Sequence, residues 1–482
     1  MNSEDDIETA DRRLCSECVR DEFLRTEIER EGTRSTCYYC AQSGITITIE
    51  EMADRVETAF ERHYYHTDTE TSSTDYTAMR EGYWERDGEP VADLIGSASG
   101  VDEAPAEDVR QVLEYRHEDF DRDQMGEEGP FDEEAHYAEK ALESTEFLEN
   151  WSYFKKSLLT EARFFNAKSE AILQSVFDGL TDHKARNGKT IIVAAGPGTE
   201  MPVLYRARVF QSVPLLLEAL KHPDKKIGTP PSGSALAGRM NARGISVFYG
   251  ATDTSVAVGE VRPPVGSRVA VGRFELLREV RLLDIEALKS VYVEGSIFDP
   301  EYIRHLERAK FLGMLSGRIT MPVMPEDEPL GHLVTQTIAD YLASRGDPAL
   351  DGILYPSVQG IEGGVNVVLF HKAAGVASID LPEGTEIIVH SGHNTEEGWE
   401  EDYSVREEVP PKGSDTTLEK QGHIHDLGAL IAEPLSYDND LREPTLRLDL
   451  KSLTVHRVTA ARFETDAFRV PRHRSEKQKT KC

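Results

Sequence analysis

The chain has five cysteines in 482 residues, no lysine before Lys140, and no apolar run of bilayer-spanning length. A transmembrane helix needs roughly 18 consecutive apolar residues, so this sequence offers no candidate span. Residues 1–9 are acidic and lack the basic and apolar regions of a secretory signal. The expected location is therefore the cytoplasm, with no membrane partner. Positive charge is also in short supply: 54 basic side chains, by count 18 Lys and 36 Arg, face 87 acidic ones for a net charge of −33. Such a surface repels phosphate backbones, which excludes a general nucleic-acid binder. An acidic, lysine-poor composition suits a salt-adapted cytoplasm or an ordinary acidic soluble protein equally well. The length calls for two or three domains.

Of the few cysteines, four fall into two short pairs. Cys15-x2-Cys18 and Cys37-x2-Cys40 are separated by 18 residues, and the fifth, Cys482, is terminal. Each pair can present two thiolates from one turn, and together they supply a tetrahedral S4 set for zinc. In a reducing compartment this spacing points to metal rather than to disulfides or merely buried thiols. Four protein ligands leave no position for a substrate, so the expected role is structural.

Residues 50–183 read as mostly helical. Met52, Val56 and Phe60, then Val109, Val112 and Leu113, recur at helical spacing, with acidic linkers at Gly82–Pro90 and Gly126–Pro130. Trp151, Phe154, Leu158, Ala162 and Phe165 predict one face of a single long helix ending near Gly179, a core stripe rather than a cofactor box. Beyond Thr190 the character changes. Strands are expected at Ile191–Ala195, Val203–Val209, Ser246–Tyr249, Val269–Phe274, Val280–Asp284, Gly352–Tyr355 and Val365–Phe370. Helices are expected between them at Pro214–Leu220, Thr254–Val261, Pro300–Ala309 and His332–Ser344. Gly196-Pro197-Gly198 reads as a turn rather than a phosphate loop. Further strands are expected at Glu386–His390, Leu446–Asp449 and Val455–Phe463, around a polar loop at Asn394–Gly422. The class is α+β: a zinc module over 1–48, a helical domain over 49–188, a mixed-sheet domain with a strand-rich extension over 189–470, and a basic, frayed tail over 471–482.

Candidate chemistry concentrates in the mixed-sheet domain. In Tyr205-Arg206-Ala207-Arg208-Val209, period-2 alternation places Arg206 and Arg208 on one strand face, where two guanidinium groups suit a diphosphate. Gly238-Arg239-Met240-Asn241 pairs a glycine that permits close backbone approach with Arg239 and Asn241 as candidate phosphate or ribose ligands. Tyr249 ends a strand, and Glu260 ends a helix of small and apolar residues. Ser357 follows the break at Tyr355-Pro356, with no His or Lys nearby in sequence to activate it and no Gly-x-Ser-x-Gly motif.

This ordered Arg, Glu and Ser set, with Asp351–Ser357 closing into Asn366–Phe370, resembles the RES domain family over roughly residues 202–370. The resemblance implies an ADP-ribosyltransferase-like fold and NAD as substrate, consumed by a glycohydrolase or phosphorylase that often acts as a toxin under an antitoxin. It implies that Arg206 is the named Arg, with Arg208, Arg239 and Asn241 toward the phosphates and ribose. Tyr249 is the aromatic beside nicotinamide, Glu260 the acid and Ser357 a substrate positioner. Met240 stands where many relatives carry an aromatic. Nicotinamide leaves as a neutral base, so what needs stabilising is cationic charge growing on the ribose, a task for a carboxylate.

The helical region is similar to HEPN-type domains fused to RES domains, which brings a rival expectation. HEPN ribonucleases use Arg-x4–6-His on one helix face; Arg110 and His117 fit that spacing, while Arg62 and His66 fall one residue short. The acidic stretch from Asp102 to Asp123 is a poor surface for RNA, so a partner-binding or autoinhibitory module is the preferred reading. Transfer of ADP-ribose to a protein side chain is a second rival. An antitoxin or other regulatory protein, and self-association, are the partners left open.

Overall fold

The computed structural model describes residues 9–67, 86–163, 165–320, 331–357, 363–396, 398–411, 442–462 and 465–474. Cys482 and parts of the expected linker at Gly82–Pro90, of the loop at Asn394–Gly422 and of the tail lie outside them. The chain divides into two compact units, one of residues 1–191 with 287–321, the other of 192–286 with 322–482. The class is α+β.

In the first unit, strands β1 (Arg13–Cys15), β2 (Thr33–Thr36) and β3 (Ser43–Thr48) form a small antiparallel sheet in the order β1-β3-β2, beside helix α1 (Glu22–Glu31). Helix α2 (Ile49–His63) starts at a capping box: the Thr48 hydroxyl accepts from the Glu51 N–H, and the Glu51 carboxylate accepts from the Thr48 N–H. A short sheet of β4 (Tyr64–His66), β5 (Glu89–Pro90) and β6 (His136–Glu139) interleaves with helices α3 (Val91–Ser99), α4 (Glu103–Arg116) and α5 (Phe120–Met125). One apolar core runs from the cysteine-bearing segment into the helices, joining Leu14, Val19, Leu24 and Ile28 to Met52, Val56, Phe60, Val109 and Leu113. The stretch expected to be one helix is two, α6 (Thr145–Thr160) and α7 (Ala167–Phe177). Trp151, Phe154 and Leu158 are buried as expected, but Ala162 and Phe165 are exposed. The cause is local: the Asn166 side chain accepts from the Ser169 N–H and so starts a new helix, while Phe165 takes a positive φ of 58°. The unit's next strand is β7 (Lys184–Ala185).

The second unit is built on an eight-stranded mixed sheet. Strands β8 (Ile192–Ala195), β9 (Val203–Phe210), β10 (Phe248–Ala251), β11 (Arg268–Leu276) and β12 (Val280–Asp284) come first, with helices α8 (Val213–Lys221), α9 (Pro223–Lys226) and α10 (Thr254–Glu260) between them. Gly196-Pro197-Gly198 is a turn closed by the Thr199 hydroxyl, as expected. The chain then contributes an excursion to the first unit. Strand β13 (Val291–Tyr292) pairs with β7, and helix α11 (Tyr302–Thr320) packs Phe311 against Phe147 and Trp151. Phe298 joins the first unit's core. Residues 287–321, inside the stretch assigned from sequence to the mixed-sheet domain, therefore cluster elsewhere. Helix α12 (Leu333–Ser344) and strands β14 (Gly352–Pro356) and β15 (Val365–Leu369) return to the second unit.

After them come the two-stranded pairs β16 (Glu386–His390) with β19 (Ser404–Glu408) and β17 (His393–Thr395) with β18 (Gly398–Glu400). The last strand among the described residues is β20 (Leu446–Arg457). The large sheet runs β20-β11-β9-β10-β15-β14-β12-β8, with only β12 and β14 parallel. Two strands expected after Leu446 are one, because the irregularity opposite Val271–Arg273 absorbs Leu450–Leu453 as a bulge. Strand β10 begins two residues later than expected, because the Ser246 carbonyl faces His371 Nδ1 and accepts from Arg442 instead of from a neighbouring strand.

Candidate functional site

The sheet opens at one place. Strands β9 and β10 pair only at Tyr205–Ala251, although β9 pairs along its length with β11. Arg206 fills the split. Its Nη1 donates to the Tyr249 carbonyl at 2.8 Å and its Nε to the Ile227 carbonyl at 2.9 Å, with the guanidinium 5.2 Å from the Phe248 ring centroid. Burial, with Arg208 nearby, depresses its pKa to about 10, still well above neutrality. Arg208 is exposed on the same face and donates to the Lys226 carbonyl. Among the described residues neither guanidinium is paired with a carboxylate.

On the other face, register builds a row across four strands: Tyr205 lies opposite Ala251, Ala251 opposite Asn366, and Asn366 opposite Tyr355. Directly opposed residues share a face, so Tyr205, Ala251, Asn366 and Tyr355 stand on one side of the sheet. Helix α10 covers one end of the row. It is started by Asp253, whose carboxylate accepts from the Ser255 N–H, and buries Val256 and Ala257 against Ala251, Tyr205 and Ala207. Glu260 is its last residue, exposed, and its Oε2 accepts a 3.0 Å hydrogen bond from Asn366 Nδ2. Asn366 is buried, and among the described residues its Oδ1 has no hydrogen-bond partner. A buried acceptor without a donor is costly, and so is notable beside a cavity.

That cavity, of about 120 Å³, is lined by Arg206, Tyr249, Glu260, Tyr355 and Asn366 among others. Whole ligand sites occupy roughly 300–1,000 Å³, so this space fits one end of a ligand. Burial pushes the Tyr249 hydroxyl up to about 12. Tyr355 is also pushed up, by burial and by the negative charge of Glu260, while the charge of Arg239 pulls both tyrosines the other way. Both phenols stay protonated near neutrality, and the Tyr249 hydroxyl donates to Asn241 Oδ1.

The remaining candidates lie outside the cavity wall. Asn241 is buried: its Nδ2 is shared among the carbonyls of Leu236, Ala242 and Ile245, and its Oδ1 accepts from the Tyr249 hydroxyl at 2.9 Å. It faces its own loop and Tyr249. Met240 is core, and its N–H donates to the Tyr249 oxygen at 3.0 Å. A Cβ at Gly238 would come within 2.7 Å of both Tyr249 Oη and Asn241 Oδ1, which explains the glycine. Arg239 sits in this turn. Ser357 follows β14, held by its N–H to the Gly364 carbonyl at 2.8 Å. Asn366 is the site residue that the sequence motifs do not single out. The available signal was a lone amide in an otherwise apolar strand, Val365–Phe370.

The four cysteines converge in the first unit. Cys15–Cys18 and Cys15–Cys40 sulfurs lie 3.6 Å apart, Cys18–Cys37 3.9 Å, and all four within 4.8 Å of one another. A tetrahedron with Zn–S near 2.3 Å has sulfur–sulfur edges of roughly 3.8 Å, so the cluster fits a zinc knuckle. Tyr39, inside the second pair, donates to Asp108 Oδ2 at 2.5 Å, and Arg12 grips the same carboxylate at 2.8 and 2.9 Å. This ties the knuckle to α4.

Arg110 is buried, paired with Glu107 at 2.8 Å and Glu114 at 3.0 Å, and donates to the Phe131 carbonyl at 2.7 Å. His117 lies 2.7 Å from Glu57, and His66 2.8 Å from Glu128. The Arg110 guanidinium is engaged within the fold, unlike one presented to an RNA phosphodiester.

No curated protein and no solved structure matches the chain. Residues 204–388 match the RES domain, and residues 30–171 match HEPN/RES N-terminal domain 1. The chain thus joins a HEPN/RES N-terminal domain to a RES domain, a domain type that points to an enzyme acting on NAD.

Proposed function

We propose that this protein cleaves the nicotinamide–ribose bond of NAD, as a glycohydrolase or phosphorylase, and serves as a toxin or defence effector that depletes NAD in the cytoplasm. The observation that carries this reading is the Glu260–Asn366 pair beside the cavity at the sheet opening. In the proposed reaction the carbon–nitrogen bond breaks and its electron pair leaves with nicotinamide. Glu260 stabilises the oxocarbenium-like ribose, and water or phosphate then adds at the vacated carbon and loses a proton. Asn366 orients the carboxylate, and its unpartnered Oδ1 is a natural acceptor for a carboxamide or hydroxyl of the substrate. Tyr249 and Tyr355 flank the leaving group, Arg206, Arg208 and Arg239 serve the diphosphate, and Asn241 fixes the loop. Ser357 positions substrate rather than attacking it.

The four cysteines would hold a structural zinc, and an antitoxin or other regulatory protein would restrain the enzyme. The decisive experiment incubates purified protein with NAD, with and without phosphate, and identifies products by mass. ADP-ribose or its 1″-phosphate is expected. ADP-ribosylated protein would move the reading to a transferase, and degraded RNA beside intact NAD would overturn it.

A further inference from the structure

Helix α12 meets the Arg239 turn along an unusual seam. The turn is a tight bridge in which the Gly238 N–H donates to the Asn241 carbonyl at 2.9 Å, with Arg239 and Met240 at its tip. Three of its carbonyls accept from the first turn of α12. Gln336 Nε2 donates to the Gly238 carbonyl at 2.8 Å and to the Asn241 carbonyl at 2.9 Å, and the Thr335 hydroxyl donates to the Arg239 carbonyl at 2.6 Å. On its other side the turn is held by the Tyr249 hydroxyl, through Met240 and Asn241.

Both amide hydrogens of Gln336 are spent on this seam. Neither a carboxylate nor an apolar side chain could replace them, because the carbonyls they face need donors. The backbone that carries Arg239 is thus set by two elements, β10 through Tyr249 and α12 through Gln336 and Thr335. The turn that carries Arg239 bears directly on Tyr249, whose hydroxyl it engages and whose side chain lines the cavity, so Arg239 stands at the cavity's edge. We propose that Gln336, supported by Thr335, is a positioning residue that holds Arg239 in its substrate-binding geometry. This rests on the reading of the cavity as the NAD site.

The test compares wild-type protein with Gln336→Glu, Gln336→Met and Thr335→Val. Ser344→Ala on the exposed part of α12 serves as control. NAD kinetics and hydrogen exchange of the peptide spanning Gly238–Tyr249 are read on each. Both Gln336 variants keep the side chain's length, so a packing role would leave them near wild type. The clamp instead predicts a KM for NAD raised about tenfold with kcat within about threefold, and faster exchange at Gly238 and Asn241. Thr335→Val should move both readouts in the same direction, by less. An unchanged KM with unchanged exchange overturns the proposal, as does a kcat loss at constant KM. If wild-type protein leaves NAD intact, the enzymatic reading fails by itself, and the exchange data alone then decide whether Gln336 holds the turn.

Discussion

Replacing Glu260 by glutamine changes charge and almost nothing else. The side chain keeps its length at the end of α10, and its amide oxygen can still accept from Asn366 Nδ2, now 3.0 Å from Oε2. What disappears is the attraction between a carboxylate and positive charge growing on the ribose. For unit charges about 4 Å apart at an effective dielectric near 20 that attraction is about 4 kcal/mol. The group is exposed and the transition-state charge is partial, so about 3 kcal/mol is the working figure. At 1.36 kcal/mol per decade this predicts a kcat lower by about a hundredfold. KM should move less than kcat, because in ground-state NAD the positive charge sits on the nicotinamide ring and reaches the ribose carbon only in the transition state. The assay is nicotinamide release at saturating NAD, quantified by chromatography, with melting curves to confirm an unchanged fold. A Glu260→Gln enzyme within threefold of wild-type kcat would refute this assignment, as would a change confined to KM.

Other outcomes follow from the first unit and its helices. Cys15→Ser should remove one equivalent of bound zinc in elemental analysis and lower the melting temperature, because Leu14 and Val19 anchor the shared core beside the thiols. Phe311→Ala should cost about 3–5 kcal/mol in denaturant unfolding, since it empties a buried aromatic cluster with Phe147 and Trp151. Arg110→Ala should destabilise by about 3 kcal/mol by leaving Glu107 and Glu114 without their buried partner. It should do so with no change in any RNA-cleavage signal; loss of such a signal, with folding intact, would revive the ribonuclease reading.

Much of the sheet was legible because β-branched, apolar runs such as Val203–Val209 and Val280–Asp284 bury at least one face whatever surrounds them. The cysteine spacing was equally plain, since metal geometry constrains it directly. What escaped was nonlocal or decided by a single cap. The stripe from Trp151 runs up to Phe165, and nothing in its period announces that Asn166 caps a new helix. Asn366 gains meaning only from its register between Ala251 and Tyr355, partners more than a hundred residues and about ten residues away respectively. The split that Arg206 fills depends likewise on how far β10 runs beside β9, which no alternation pattern specifies.

The excursion of residues 287–320 also imposes a timetable on synthesis. The first unit lacks Phe298 and Phe311 until that segment has left the ribosome, and only then can its core close. Tyr355 and Asn366 emerge later still, and β20, the edge of the large sheet, last of all. A nascent chain therefore carries the described elements of its first unit before Tyr355 and Asn366 complete the cavity wall.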